Sequence, residues 1–180
     1  GNSAISVGRV ASAVVLWESF GTDRTPLVGD LISTVTYSDG MITFRTNKTF
    51  REGNAVIAAK NAKGKILWSW HIWFTDQPHE QVYYNNAGIM MDRNLGATSA
   101  KPGHVGALGL LYQWGRKDPF LGASSISDEI QAKSTIAWPS PKSSENFSKY
   151  TRIGSKAYAI ANPTTFIRYN PNNYDWCYTS

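Results

Sequence analysis

Residues 54–74 read NAVIAAKNAKGKILWSWHIWF, two apolar runs on either side of Asn61-Ala62-Lys63-Gly64-Lys65. The runs favour strands and Gly64 supplies a tight turn, so the stretch predicts a hairpin. Its second arm, residues 66–74, holds three of the chain's seven tryptophans and one of its three histidines. Alternate residues of a strand face one side. On that rule Ile66, Trp68, Trp70, Ile72 and Phe74 form an apolar face, the expected core. Two buried indoles there would each bring roughly 150–250 Å² of contact. Leu67, Ser69, His71 and Trp73 form a mixed second face, turned to solvent, to a ligand or to a second layer of protein.

The reading extends outward from this hairpin. SAVVLWESF, residues 12–20, predicts a strand, and GTDRTPLVGD, residues 21–30, a loop. In LISTVTYSDGMITFRT, Val35, Tyr37, Ile42 and Phe44 alternate with polar residues around Asp39-Gly40. That dipeptide favours a two-residue type I′ hairpin. Strands at this spacing predict an antiparallel, Ig-like β-sandwich over residues 1–76. At TDQPHE, residues 75–80, the character of the chain changes, and residues 79–180 form a second region.

In that region Gly88–Asp92 predicts one strand. Leu108, Leu111, Tyr112 and Gly115 recur at helical spacing and predict the main helix near 105–116, with Pro119 stopping it. Beyond Leu121 the chain is rich in Ser, Asn and Pro, with isolated rings at Trp138, Phe147, Tyr150, Phe166, Tyr169, Tyr174 and Trp176. Loops and short strands pinned by buried rings are expected there. The expected fold class is α+β, mainly β.

Composition narrows the function classes. Charged residues are 17% of the chain, against about 25% in an average soluble domain, and aromatics are 13%. The net charge of +5 comes without a run of basic residues, so nucleic-acid binding is not expected. A lone cysteine, Cys177, excludes an internal disulfide framework and any Cys-rich metal site. No apolar run approaches the ~18 residues of a membrane span. The first residues, GNSAISVGRV, do not read as a signal peptide, so export would require a targeting segment outside this sequence.

Motifs for chemistry are sparse. His71, His79 and His104 lack metal-ligand spacing, and EF-hand, P-loop and nucleophile-elbow patterns are absent. Asp128-Glu129 is a pair of acids on a solvated segment. The expectation is a protein without catalytic activity, metal or cofactor. Two polar triplets remain, Asp92-Arg93-Asn94 and Arg116-Lys117-Asp118. Each reads either as a polar binding rim or as a buried network tying loop to helix.

Three segments carry a resemblance: GNAVIAAKNAKGKILWSWHIWFTD, MDRNLGA and GALGLLYQWGRKDPF. Together they resemble fimbrillin-type proteins and surface lipoproteins of Bacteroidetes with a C-terminal FISUMP (major paralogous) module of lectin-like fold. The resemblance covers about residues 10–180. It implies export to the cell surface, association with the outer membrane or a fimbrium, and adhesion through other surface proteins or host and glycan ligands. Members of that group continue past YDWCYTS into Cys-Pro and Gly-Trp-Arg-Pro-like residues, so the lectin-like region is expected to be incomplete here. The resemblance transfers no catalytic or calcium-binding residue.

The alternative function is a carbohydrate-binding module of a secreted glycan-utilisation protein. In that reading Trp73, Tyr112, Trp114 and Trp138 offer ring faces for sugars, and Asp92 and Asn94 take the hydroxyls. Such a platform requires at least two rings open to solvent within the length of one sugar.

Overall fold

The computed structural model describes residues 6–121, 132–138, 154–167 and 176–177. Asp128-Glu129 and the rings of Phe147, Tyr150, Tyr169 and Tyr174 lie outside the described residues. Within them the chain is mainly β, with antiparallel sheets and one short α-helix.

The central sheet has the order β1-β4-β5, from Ser12–Ser19, Gly53–Lys60 and Ile66–Phe74. Its β4–β5 turn is the one predicted at 61–65. Gly64 has φ +77°, and the Asn61 side chain accepts the N–H groups of Lys63 and Lys65. Strands β2, Ile32–Ser38, and β3, Met41–Thr46, form the hairpin predicted around Asp39-Gly40. Both turn residues have positive φ, 51° and 80°, as a type I′ turn requires.

Strand β4 is buried on both faces, and its alternation explains why. Ala55 and Ile57 join Phe20, Leu31, Ile32 and Phe74 in a cluster enclosed between the sheet and the β2–β3 hairpin. Val56 points the other way and packs with Trp17, Leu110 and Leu121. The second cluster is covered by the chain beyond residue 95, including Ile136 and Trp138. The sheet is thus the middle layer of three. At Gly53 an added Cβ would collide with the Ser19 carbonyl oxygen, so only glycine admits this approach of β4 to β1.

Strand β5 faces as alternation predicts from Ser69 to Phe74, with a register irregularity near Leu67, and its cover differs. Ile72 and Phe74 pack toward the hairpin. Trp70, expected in the core, is 37% exposed, and the buried tryptophan is Trp17 at 1%. The reason is the width of the second layer: two strands, packed chiefly over β1, do not reach the outer rings of β5. Trp68 does not fill that layer either. It lies at the edge of β5 that is unpaired among the described residues, where the Lys117 ammonium sits 4.6 Å from its ring centroid.

The predicted helix at 105–116 is a second correction. Val105–Ala107 forms a single 3-10 turn, and Leu111–Tyr112 is strand β8, paired with β9, Pro119–Phe120. Glycines decide the outcome, because Gly103, Gly109 and Gly115 have φ of +75°, +71° and +69°. A helix cannot propagate through such residues. At Gly109 a Cβ would also stand 2.7 Å from the Leu95 carbonyl oxygen. The described α-helix is α1, Lys156–Ala161, capped by the Ser155 hydroxyl accepting from the Tyr158 N–H. Between the sheet and this region lies a small hairpin, β6, Glu80–Val82, with β7, Ile89–Met91, where one strand was predicted.

Candidate functional site

The mixed face of β5 meets the second region, one of the three outcomes left open by its sequence. Asn54, fully buried on β4, donates its amide to the Gly96 carbonyl at 2.8 Å, and its Oδ1 lies 2.9 Å from His71 Nε2. His71 Nδ1 is 3.4 Å from the Tyr112 hydroxyl. With Asn54 Oδ1 as acceptor, the imidazole carries its proton on Nε2 and accepts from tyrosine on Nδ1. Trp73 donates its indole N–H to the Ala97 carbonyl. This row of polar contacts fastens loop 94–98 to the sheet.

Burial lowers the His71 pKa from 6.5 to about 4 and raises that of Tyr112 to about 12, so both stay neutral in the fold near neutral pH. Between pH 6.5 and about 4 the unfolded chain takes up a proton at His71 that the folded chain refuses. This contribution to stability is therefore intact above the unfolded value and lost as pH falls toward the folded one, by about 3 kcal/mol in total. Denaturant melts at about pH 7.5 and about pH 4.5 check it. His71→Gln should remove this part of the acid sensitivity.

The triplet Arg116-Lys117-Asp118 is a buried network. Asp118 accepts from the Ser69 hydroxyl and the Lys117 ammonium, both at 2.6 Å. Lys117 also donates to the Ser69 hydroxyl and to its carbonyl, on the free edge of β5. Arg116 donates to the carbonyls of Thr165 and Asn162 at the end of α1, and stacks on Phe120 and Trp176. Desolvation lowers the pKa of Lys117, and hydrogen bonding to Asp118 opposes it. A lysine beside a serine can serve nucleophilic chemistry. Ser69 is 3% exposed, however, and its hydroxyl is directed at Asp118, so the set holds the edge strand instead of presenting a nucleophile.

The other triplet borders a cleft of about 460 Å³ shared by Tyr83, Met90, Asp92, Asn94 and Ser99. Arg93 grips both carboxylate oxygens of Asp92, at 2.8 and 3.1 Å, and reaches Asp76 at 2.6 Å. Those hydrogen bonds hold both aspartates below the usual carboxylate range. Asn94 points its amide toward the carbonyls of Ala107 and Leu108, each at 3.4 Å.

The six residues singled out from sequence do not converge. Asp92 and Asn94 share this cleft, while Trp73 is tied to Ala97 and Tyr112 to His71. Trp138 packs edge-on against Trp17 and Phe120, and Trp114 is 92% exposed.

Two surfaces were missed. Hairpin β6–β7 and the residues beside it expose Val82, Tyr84, Ile89 and Met90. The available signal was apolar residues at consecutive positions of a short strand, which cannot all face inward. The second is a groove of about 460 Å³ along the open side of the β2–β3 hairpin, lined by Tyr37, Met41, Phe44, Ile57, Trp70 and Ile72.

Comparison with known proteins finds no matching family, no matching curated protein and no matching solved structure. Among the described residues no group of His, Cys, Asp and Glu could hold a metal ion, and no helix is long and apolar enough to cross a membrane.

Proposed function

We propose that this chain is a noncatalytic, exported cell-surface protein acting in adhesion or surface-fibre assembly. In this reading β1–β5 form an Ig-like sandwich left open on one side, and assembly adds a strand from another chain to β3. The observation that carries it is the groove. Met41 is 65% exposed, Phe44 38% and Trp70 37%, beside a strand whose outer edge is unpaired among the described residues. An added strand supplies main-chain hydrogen bonds to that edge and side chains to the groove. The resemblance of residues 10–180 to fimbrillin-type surface proteins points the same way.

Sedimentation at rising concentration tests the proposal. The wild type, with or without a strand-donating peptide, is expected to form higher species, and Phe44→Glu to remain monomeric. A wild type that stays monomeric under both conditions would overturn it.

One observation favours a carbohydrate-binding module as a second reading. Trp114 is 92% exposed and Tyr112 37%, and their Cα atoms are at most about 7 Å apart along the chain. Tryptophan fluorescence across a glycan panel, with Trp114→Ala as control, distinguishes the two readings.

A further inference from the structure

The segment after β1 and the start of β4 bring two arginines to one ring. Cζ of Arg24 lies 5.3 Å from the centroid of Phe20, and Cζ of Arg51 lies 5.5 Å from it. The ring itself is 5% exposed. A guanidinium over an aromatic ring uses its face for the contact and keeps its N–H edges as donors. Among the described residues those edges have no carboxylate, since the ion pairs there belong to Arg93, Arg116 and Lys117. Two cationic forks without acid partners among the described residues thus share one ring.

Both arginines border a cleft of about 350 Å³, together with Thr22, Glu52, Thr98 and His104. The rest of the lining is held in place by its own contacts. His104 Nδ1 accepts the Gly106 N–H at 3.3 Å, which puts the proton of the neutral ring on Nε2 as a donor. Gly106 permits this, since a Cβ there would stand 2.6 Å from Thr98 Oγ1 and 3.1 Å from His104 Nδ1. Glu52 adds one carboxylate, which accepts from the Thr75 hydroxyl at 3.3 Å, and Asp23 is an exposed acid beside Arg24.

This mixture selects a ligand. A bare phosphate or sulfate would fill the arginine forks but meet repulsion from Glu52. A ligand with one carboxylate and several hydroxyls satisfies both sides, because hydroxyls donate to Glu52 and exchange hydrogen bonds with Thr98 and His104. We propose that this cleft binds an acidic sugar of the uronate type, with its carboxylate between Arg24 and Arg51 and its hydroxyls on Glu52, Thr98 and His104. The site is separate from the assembly groove and from Trp114, and it stands without either reading.

Calorimetric titration with an oligogalacturonate tests the proposal, using a neutral oligosaccharide of equal length, inorganic sulfate and polyglutamate as comparators. Saturable binding of the oligogalacturonate alone is expected. Arg24→Gln and Arg51→Gln should each weaken it by about tenfold or more, with melting temperatures recorded to confirm folding. Trp114→Ala and Phe44→Glu should leave it unchanged, which separates this site from the two functional readings. Arg51→Lys keeps the charge without the fork and should weaken binding in part. No binding, equal binding of the neutral sugar, sulfate or polyglutamate, or undiminished binding by folded Arg24→Gln/Arg51→Gln would each overturn the proposal.

Discussion

Glu18→Ala is expected to destabilise the fold by about 4 kcal/mol, a large effect for a protein of this size. Glu18 is a charged residue on β1 with no exposed surface. Its Oε2 accepts the N–H of Gly29 at 2.6 Å, and its Oε1 those of Leu31 and Ile32 at 3.0 and 2.7 Å. The carboxylate therefore terminates the 21–30 loop and starts β2. Alanine would leave three donors unpaired, two of them buried, each of these costing about 1–3 kcal/mol before relaxation. Glu18→Gln keeps one acceptor but turns an amide donor toward one of those groups, so about 2 kcal/mol is expected. Urea unfolding of the three proteins checks the order. A Glu18→Ala midpoint equal to that of the wild type would refute the role.

Trp17→Ala should cost about 3–5 kcal/mol. The ring is 1% exposed, packs with Val56, Leu110 and Leu121, and meets Trp138 edge-on at 5.2 Å. It therefore joins the sheet to the second region. Trp70→Ala, on the open side of the sheet, should cost less than about 2 kcal/mol. Thermal melts of the two variants give the comparison directly. Equal losses would mean that the side assigned as open is covered.

The contrast between these tryptophans shows what was legible. Both hairpins of the first 75 residues announced themselves, because Asp39-Gly40 and Gly64 supply the backbone conformations their turns need. Alternation along β5 told which residues share a face from Ser69 to Phe74, but not at Trp68, where a register irregularity intervenes. It carried no information on how wide the opposing layer is, and so misjudged Trp70. The supposed helix failed for a different reason: apolar residues at spacings of three and four also arise in a loop laid across a sheet. Gly103, Gly109 and Gly115 were the contrary signal. Glu18 was invisible as a core residue, since nothing in a charged strand position reveals which N–H groups will surround it. The cleft of Arg24, Arg51 and His104 was equally hidden, being assembled from three separate segments around Phe20.

The assembly reading makes its most direct prediction at two amides. In a two-residue hairpin the residues flanking the turn form a hydrogen-bonded pair, so Met41 and Thr43 bond to β2 while the N–H groups of Ile42 and Phe44 face the free edge. Residue-resolved hydrogen exchange, measured on dilute and on concentrated or peptide-loaded protein, is the deciding measurement. The account predicts that Ile42 and Phe44 exchange fast when dilute and become protected on assembly. Assembly that leaves these two amides exchanging freely would contradict it.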